Sequence, residues 1–361
     1  MSAVQDADAT LYDVPTERHE ADGTLAWDHT TVLLVSVRGR DGTEGVGLSY
    51  TGPGADQVVR NQLLPAIGGI DDDDIGACWS AMVASVRNVG RPGLAAAAIS
   101  AVDIALWDLR GKRRGEPVFR LLPTHRTSVP IYGSGGFTSL SVDDLVAQMM
   151  GWVDDGIPRV KMKIGLGVEE DIERILAVRE AIGTTPDLLI DANGRYSAKQ
   201  AIALAQQVAD ASTYFEEPVS SDAVGDLAMI RQAIPQDVAA GEYGYDPWYF
   251  WNLLRSDAVD VLQADATRCL GITGFVLAGG AAYSAQVRFS AHTAPCVHAH
   301  AGCGVPQLSH IEYFHDHVRV ERLLFDGIVQ PSGGELAPDP GRPGLGVSLR
   351  AEAERYRRRP E

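Results

Sequence analysis

The sequence predicts an α/β protein: a parallel (β/α)8-type barrel with an N-terminal α+β capping domain that the C-terminal tail completes. Three observations lead there. From residue 129 onward, eight strand-like runs alternate with helix-like segments over roughly 200 residues, the pattern of a closed parallel barrel. Before residue 125 the pattern differs, with a hairpin signal followed by helices. Three of the barrel runs also end on an acid, Asp191, Glu216 and Glu242, at steps of 25 (191 to 216) and 26 (216 to 242) residues. That step accommodates about one strand, one helix and two short loops.

In chain order, residues 31–37 (Thr-Val-Leu-Leu-Val-Ser-Val) form a β-rich run. Asp41-Gly42 then signals a hairpin turn, and residues 45–50 give the returning strand of an antiparallel meander. Residues 95–110, rich in alanine, read as a helix. The acidic run 71–74 reads as a solvated loop or helix start. Barrel strands are expected at 129–132, 159–164, 188–191, 213–216, 238–242, 259–265, 287–292 and 310–313. Helices are expected between most of them, as at 169–182, 198–209 and 225–233. After residue 325 the chain becomes rich in proline and glycine, too irregular to extend the barrel, and is expected to return across the N-terminal module. The domains are therefore expected at 1–125, 126–328 and 329–361, with Arg357-Arg358-Arg359 as a disordered end.

Bulk properties exclude several function classes. A net charge of −17 argues against nucleic acid and anionic membrane as partners, since both require clustered positive charge. There is no apolar run of about 18 residues to span a bilayer. The N-terminus lacks a basic start and an apolar stretch, so no signal peptide is expected. The four scattered cysteines read as reduced thiols, which points to the cytoplasm.

In parallel barrels the functional groups sit at the C-terminal ends of the strands. Read with that rule, strand two offers Lys161 and Lys163, strands three to five Asp191, Glu216 and Glu242, strand six Asp265, strand seven His292 and strand eight Glu312. Three hard oxygen donors converging on one rim suit Mg²⁺. Lys161 and Lys163, two apart on a strand, point to the same face. Mutual repulsion and burial are expected to lower both lysine pKa values, and a lysine brought near neutrality can act as a general base. Asp265 would fix the tautomer of His292 and raise its basicity, creating a second acid/base group. His298 and His300 compete for that role; His292 is preferred because it directly ends a mostly apolar run. Cys296, His298, His300 and Cys303 lie close together in sequence but match no usual zinc spacing. No phosphate-binding glycine loop or Gly-x-Ser-x-Gly turn is present, and the glycine-rich stretch 133–136 reads as rim flexibility.

The ordered set Lys161-x-Lys163, Asp191-x-Asn193, Glu216-Glu217-Pro218, Gly241-Glu242, Asp265, His292 and Glu312 resembles the mandelate racemase subgroup of the enolase superfamily. Residues 101–108 (Ala-Val-Asp-Ile-Ala-Leu-Trp-Asp) resemble a segment common in the capping module of these proteins. The resemblance implies Mg²⁺ on Asp191, Glu216 and Glu242, with Glu217 lying behind them. It implies a carboxylate substrate with an α proton, held by the metal and Lys161. Lys163 would be the base on one face and His292, supported by Asp265, the acid/base on the other. Glu312 would donate to or share a proton with the substrate carboxylate, and the protein would be a homo-oligomer.

Two outcomes follow from α-proton removal. Proton return to carbon gives racemisation or epimerisation; protonation of a β-hydroxyl expels water and gives a 2-keto acid. Dehydration of a hexonate or hexarate is favoured, as the commonest activity of relatives with this constellation. The polar cap region (His19, Glu20, Asp22, Trp27, Asp28, His29) suits hydroxyl groups. Asn193, His19, Trp27 and Tyr132 are the candidate substrate contacts. A racemase, epimerase or cycloisomerase is the alternative; a non-catalytic sugar-acid binding protein is a third reading, against which the two intact bases argue.

Overall fold

The computed structural model describes residues 4–359. Short runs buried on both faces make the central strands, as in other parallel sheets. These are β4 (Val129–Gly135), β5 (Arg159–Lys163), β6 (Asp187–Asp191), β7 (Tyr214–Glu216), β8 (Asp237–Ala240), β9 (Val261–Ala264), β10 (Arg288–Ala291) and β11 (Leu308–Phe314). Each pairs in parallel with the next, and β11 pairs back onto β4, closing the barrel. The amphipathic segments between them form the outer helices. Several start on the signals the sequence carries: Ser141 accepts from Asp144 N (3.2 Å), Ser197 and Gln200 form a capping box, and Asp246 accepts from Tyr249 N (3.0 Å).

The capping domain is an antiparallel sheet of β1 (Val4–Ala21), β2 (Ala26–Gly39) and β3 (Glu44–Tyr50) packed on the long helix α1 (Leu94–Arg114). The sequence reading missed β1, because charged residues crowd its exposed positions and Pro15 interrupts it. Alanines along α1 allow β3 to approach closely; a Cβ on Gly47 would lie 2.0 Å from the Ala101 carbonyl. The acidic run 71–74 is only partly solvated. Asp74 caps the following helix, while Asp72 is buried against Arg113.

The cap is locked onto the barrel by polar contacts. Asp103 on α1 accepts from Thr273 N (3.0 Å) and Oγ1 (2.6 Å) at the start of helix α2 (Gly271–Ala285). Ser49 donates to the Thr267 carbonyl, and Thr138 donates to that of Asp22. Tyr50 stacks on His317 with ring centroids 3.4 Å apart. These contacts draw the cap down over the C-terminal mouth.

The tail pairs first with the barrel, through Glu335 and Leu336 on β4, and only then reaches the cap. The expectation of a disordered arginine end is corrected for the described residues. Arg358 N donates to the Leu11 carbonyl, and its guanidinium binds Asp13 at 2.6 and 2.8 Å. A strand carbonyl and a carboxylate on β1 give this arginine partners that its local sequence does not announce.

Candidate active site

Parallel register brings the predicted acids together. Lys163 pairs with Asp191, and Asp191 with Glu216, along adjacent strands. Glu242 arrives by a different route, since β8 ends at Ala240. Gly241, at φ +135°, turns the chain over the rim where a Cβ would sit 2.0 Å from the Gln263 carbonyl, so only glycine passes. One carboxylate oxygen from each of Asp191, Glu216 and Glu242 lies within 4.8 Å of the others, and all three residues are buried. Glu216 Oε2 has no hydrogen-bond partner. Burial and the neighbouring Asp191 push the Glu216 carboxyl well above the usual range. Three buried hard oxygen donors, one with a free oxygen, fit a divalent oxygen-seeking cation such as Mg²⁺.

The lysines depart from expectation. Lys161 Nζ lies 2.8 Å from Glu216, 2.9 Å from Glu312 and 3.3 Å from Asp191; Lys163 Nζ lies 2.5 Å from Asp191. Burial alone would lower both pKa values, but the surrounding carboxylates outweigh it and hold both lysines above their ordinary value. The sequence showed the two ammonium groups side by side; it did not show how many acids the barrel packs against them. The same pairing acts on Glu312. Burial would raise its pKa, yet Lys161, His292 and Lys163 hold it low, so Glu312 stands here as an ionised acceptor rather than a donor.

His292 Nδ1 lies 2.9 Å from Asp265 Oδ2. Burial would raise the Asp265 pKa, but His292 lowers it overall, so the carboxylate stays ionised and orients the ring. Nε2 faces inward, 3.1 Å from Glu242 Oε2 and 3.9 Å from Glu312. Around the ring of strands, the acidic triad lies between Lys163 and His292. Lys163 and His292, both buried, thus stand on either side of the acidic cluster.

Comparison with known proteins agrees with this geometry. Residues 7–123 match the family description "Mandelate racemase / muconate lactonizing enzyme, N-terminal domain", and residues 144–353 match "Enolase C-terminal domain-like". The chain belongs to the mandelate racemase/muconate lactonizing enzyme family. It is 31% identical over 334 residues to L-talarate/galactarate dehydratase of Salmonella typhimurium, covering 90% of this chain and 82% of that one. A structure of that dehydratase with Mg and L-lyxarohydroxamate superposes with a TM-score of 0.91 at 28% identity, over 99% of this chain and 93% of the other. The 3,6-anhydro-alpha-L-galactonate cycloisomerase of Streptomyces coelicolor is 30% identical over 94% of this chain and 95% of its own. A mandelate racemase/muconate lactonizing enzyme-like protein from Rubrobacter xylanophilus is 47% identical, with a TM-score of 0.96 over 99% of this chain and 100% of that one.

The other candidate residues of this mandelate racemase relative fall in three places. Asn193, at φ +46°, borders the triad, and its buried side-chain oxygen has no partner. Trp27 on β2 is half-buried, donating to Glu20 (2.9 Å) and lying edge-on to Phe137; His19 is exposed on β1, next to Glu20. Tyr132 lies beneath the rim, fully buried, with its ring 5.3 Å from Lys161 Nζ. The competing histidines hold structure instead: His298 bonds to Thr293 O and Ala266 N, and His300 to Phe119 N and Leu345 O. Cys296, His298, His300 and Cys303 form no ligand cluster among the described residues.

Sequence reasoning missed three residues. Ser134 donates to Glu312 Oε1 (2.6 Å), and Thr293 N donates to Glu312 Oε2 (3.0 Å), so both carboxylate oxygens are fixed. Arg268 lies 3.7 Å from Asp265 and 3.8 Å from Glu242, bridging the two halves of the rim. Ser134 was the one polar side chain in a glycine run read as flexible. Its position two residues beyond Tyr132 on an inward-facing strand was the available signal.

Proposed function

We propose that this protein is a magnesium-dependent dehydratase that converts a sugar acid, a hexonate or hexarate, to a 2-keto-3-deoxy acid. The observation that carries the reading is the placement of Lys163 and the Asp265-supported His292 on either side of the Asp191–Glu216–Glu242 cluster. Magnesium on those carboxylates would supply positive charge where the substrate carboxylate gains negative charge as its α proton leaves.

The side chains then have distinct tasks. Lys161, enclosed by Glu216 and Glu312, is placed to hold the substrate carboxylate. Lys163 takes the α proton in its neutral form; its ion pair with Asp191 opposes that form, and engaging this carboxylate elsewhere frees the amine. The C–H electrons form the α,β double bond as the β-hydroxyl leaves with a proton from His292 Nε2. Water departs and the enol tautomerises to the keto acid. Asp265 keeps the His292 ring in the required tautomer.

The test is an array of sugar acids assayed in D₂O with and without Mg²⁺. The expected result is keto-acid formation that requires the metal. Exchange of the α hydrogen with every hydroxyl retained would instead support the second reading, a racemase, epimerase or cycloisomerase, which the 30% identity to a cycloisomerase favours. The same proposal includes a division at 1–125, 126–328 and 329–361, a cytoplasmic location and a homo-oligomer. Among the described residues no helix is long and apolar enough to cross a membrane.

A further inference from the structure

We propose that His298 is a positioning residue for the proton-transfer pair: its ring ties the loop that follows Asp265 to the loop that follows His292 and so sets the geometry of the dyad. The inference deepens the function proposed above and rests on it for its kinetic test alone. β9 and β10 pair as far as Ala264 and Ala291, and among the described residues their last backbone bond runs from His292 N to the Ala264 carbonyl (3.0 Å). Asp265 and His292 therefore stand where the ladder ends and the two chains part. His298 crosses the gap beyond them. It lies fully buried on the helix Pro295–Ala301, with Phe275 of α2 against its ring at 5.0 Å between centroids. Its Nδ1 lies 2.7 Å from the Thr293 carbonyl and its Nε2 lies 2.9 Å from Ala266 N.

The two partners fix the state of the ring. A carbonyl accepts and a backbone amide donates, so the ring holds a single proton, on Nδ1, and is uncharged. Burial, which holds the His298 pKa below its ordinary value, favours that form. Each end of the bridge grips a constrained segment. Ala266 follows Asp265, whose Oδ1 accepts from Thr267 N and Oγ1, both at 2.7 Å, so carboxylate and loop move together. Thr293 follows His292; it and Ala294 are non-glycine residues at φ +49° and +40°, a left-handed conformation that surrounding contacts must maintain. Thr293 N, in the same turn, donates to Glu312 Oε2 (3.0 Å). Were the two loops to separate, the 2.9 Å bond between His292 Nδ1 and Asp265 Oδ2 would stretch and misalign, and Thr293 Oγ1, already 3.2 Å from Nδ1, would compete for the proton. His300 provides the contrast. Almost as buried on the same helix, it bonds to Phe119 N (3.3 Å) and the Leu345 carbonyl (3.2 Å), away from both loops.

The experiment uses the whole chain with Mg²⁺ and three variants. His298→Asn keeps a donor near the Nδ1 position and loses the acceptor for Ala266 N. His298→Gln keeps an acceptor near the Nε2 position and loses the donor to Thr293. His300→Gln is the control. The first readout, taken without substrate, is the downfield proton resonance of His292 Nδ1–H, assigned by its loss in His292→Gln. It should shift, or vanish into exchange with water, in both His298 variants and stay in place in His300→Gln. The second readout is turnover of a sugar acid on which the unmutated enzyme is active. In both His298 variants kcat for water elimination should fall about tenfold or more, with KM changed less than about twofold and α-hydrogen exchange largely kept. An altered resonance in a protein whose unmutated form turns over no sugar acid keeps the positioning role and rejects the reaction. A resonance left in place by both His298 variants, an equal change in His300→Gln, or an unaltered kcat overturns the positioning role and leaves the reaction standing. Failure of both His298 variants to fold overturns it too, because His298 would then be a residue that the whole fold requires.

Discussion

Two neighbouring layers inside the barrel are built from the same strands yet differ in character. One step of two residues separates them: Tyr132 from Ser134, Leu189 from Asp191, Tyr214 from Glu216, Gln263 from Asp265, Ser290 from His292 and His310 from Glu312. The rim layer holds ionised groups packed within ion-pair distance and a carboxylate oxygen without a partner. Apart from Lys161, which stands level with Leu189 and reaches up to Glu216 and Glu312, the floor layer is neutral. Burial raises the Tyr132 and Tyr214 pKa values, and burial together with Arg159, Lys161 and Arg288 lowers that of His310 to about 3. The difference teaches how this barrel can hold so much charge. A dry floor keeps water from reaching the rim from below, so the rim charges are less screened toward whatever enters from above.

The largest effects should come from altering the rim. Lys163→Ala should lower kcat by about 10³-fold while leaving Mg²⁺ binding intact, the loss expected for a proton-transfer group. Retention of normal turnover would remove Lys163 from its assigned role. Glu216→Gln deletes one triad charge and should weaken Mg²⁺ binding severely, as titration calorimetry would read. In the unmutated protein, Mg²⁺ at 100 times its Kd should add roughly 2.7 kcal/mol of stability, visible as a raised Tm. Asp265→Asn leaves the shape of the dyad but removes the charge that orients His292. A drop of about 10- to 100-fold is expected, with α-hydrogen exchange by Lys163 less affected than water elimination.

The same comparison explains what could be read from the sequence. The rim was legible because its residues end apolar runs, so that strand periodicity and the rule placing function at strand ends located Asp191, Glu216, Asp265, His292 and Glu312 together. Glu242 was legible by its spacing, although its approach through Gly241 was not. The lysine electrostatics were illegible, because they depend on contacts between Lys161 and acids as far as 151 residues away (161 to 312) in sequence. The floor was illegible as a layer, since Tyr132 looked like a substrate contact until the strand's vertical position was known. Strand β1 was hidden for a similar reason: its polar residues face the solvent and the barrel mouth, and its pairing partner β2 supplies the order.

A pH experiment probes the floor directly. His310 has a folded-state pKa of about 3, depressed chiefly by burial, against about 6.5 when unfolded. The folded state therefore resists a proton that the unfolded state accepts. Its neutral form contributes stability that is fully present above pH 6.5 and is lost progressively as pH falls toward 3. At pH 5 the loss is roughly 2 kcal/mol. His310→Gln should flatten the acid limb of the denaturation profile between pH 6.5 and 4. An unchanged limb would show that the floor is not held neutral in the way described.

The smallest effect tests whether the two layers are mechanically joined. Ser134 Oγ stands at the top of β4, directly above Tyr132, and fixes one oxygen of Glu312 at 2.6 Å. Thr293 N fixes the other oxygen from the opposite side. Ser134→Ala removes one of two hydrogen bonds to an ionised group, a loss of about 1.5–3 kcal/mol if nothing replaces it. Lys161, 2.9 Å from the same Glu312 oxygen, is available as a replacement partner and should limit the loss to the lower end. The expected result is a few-fold fall in kcat with little change in Tm. Ser134→Thr, which restores the hydroxyl, should recover most of it. If Ser134→Ala instead lowers Tm while leaving kcat unchanged, Ser134 belongs with the floor as a packing residue, and the boundary between the layers lies two residues higher on this strand than on its neighbours.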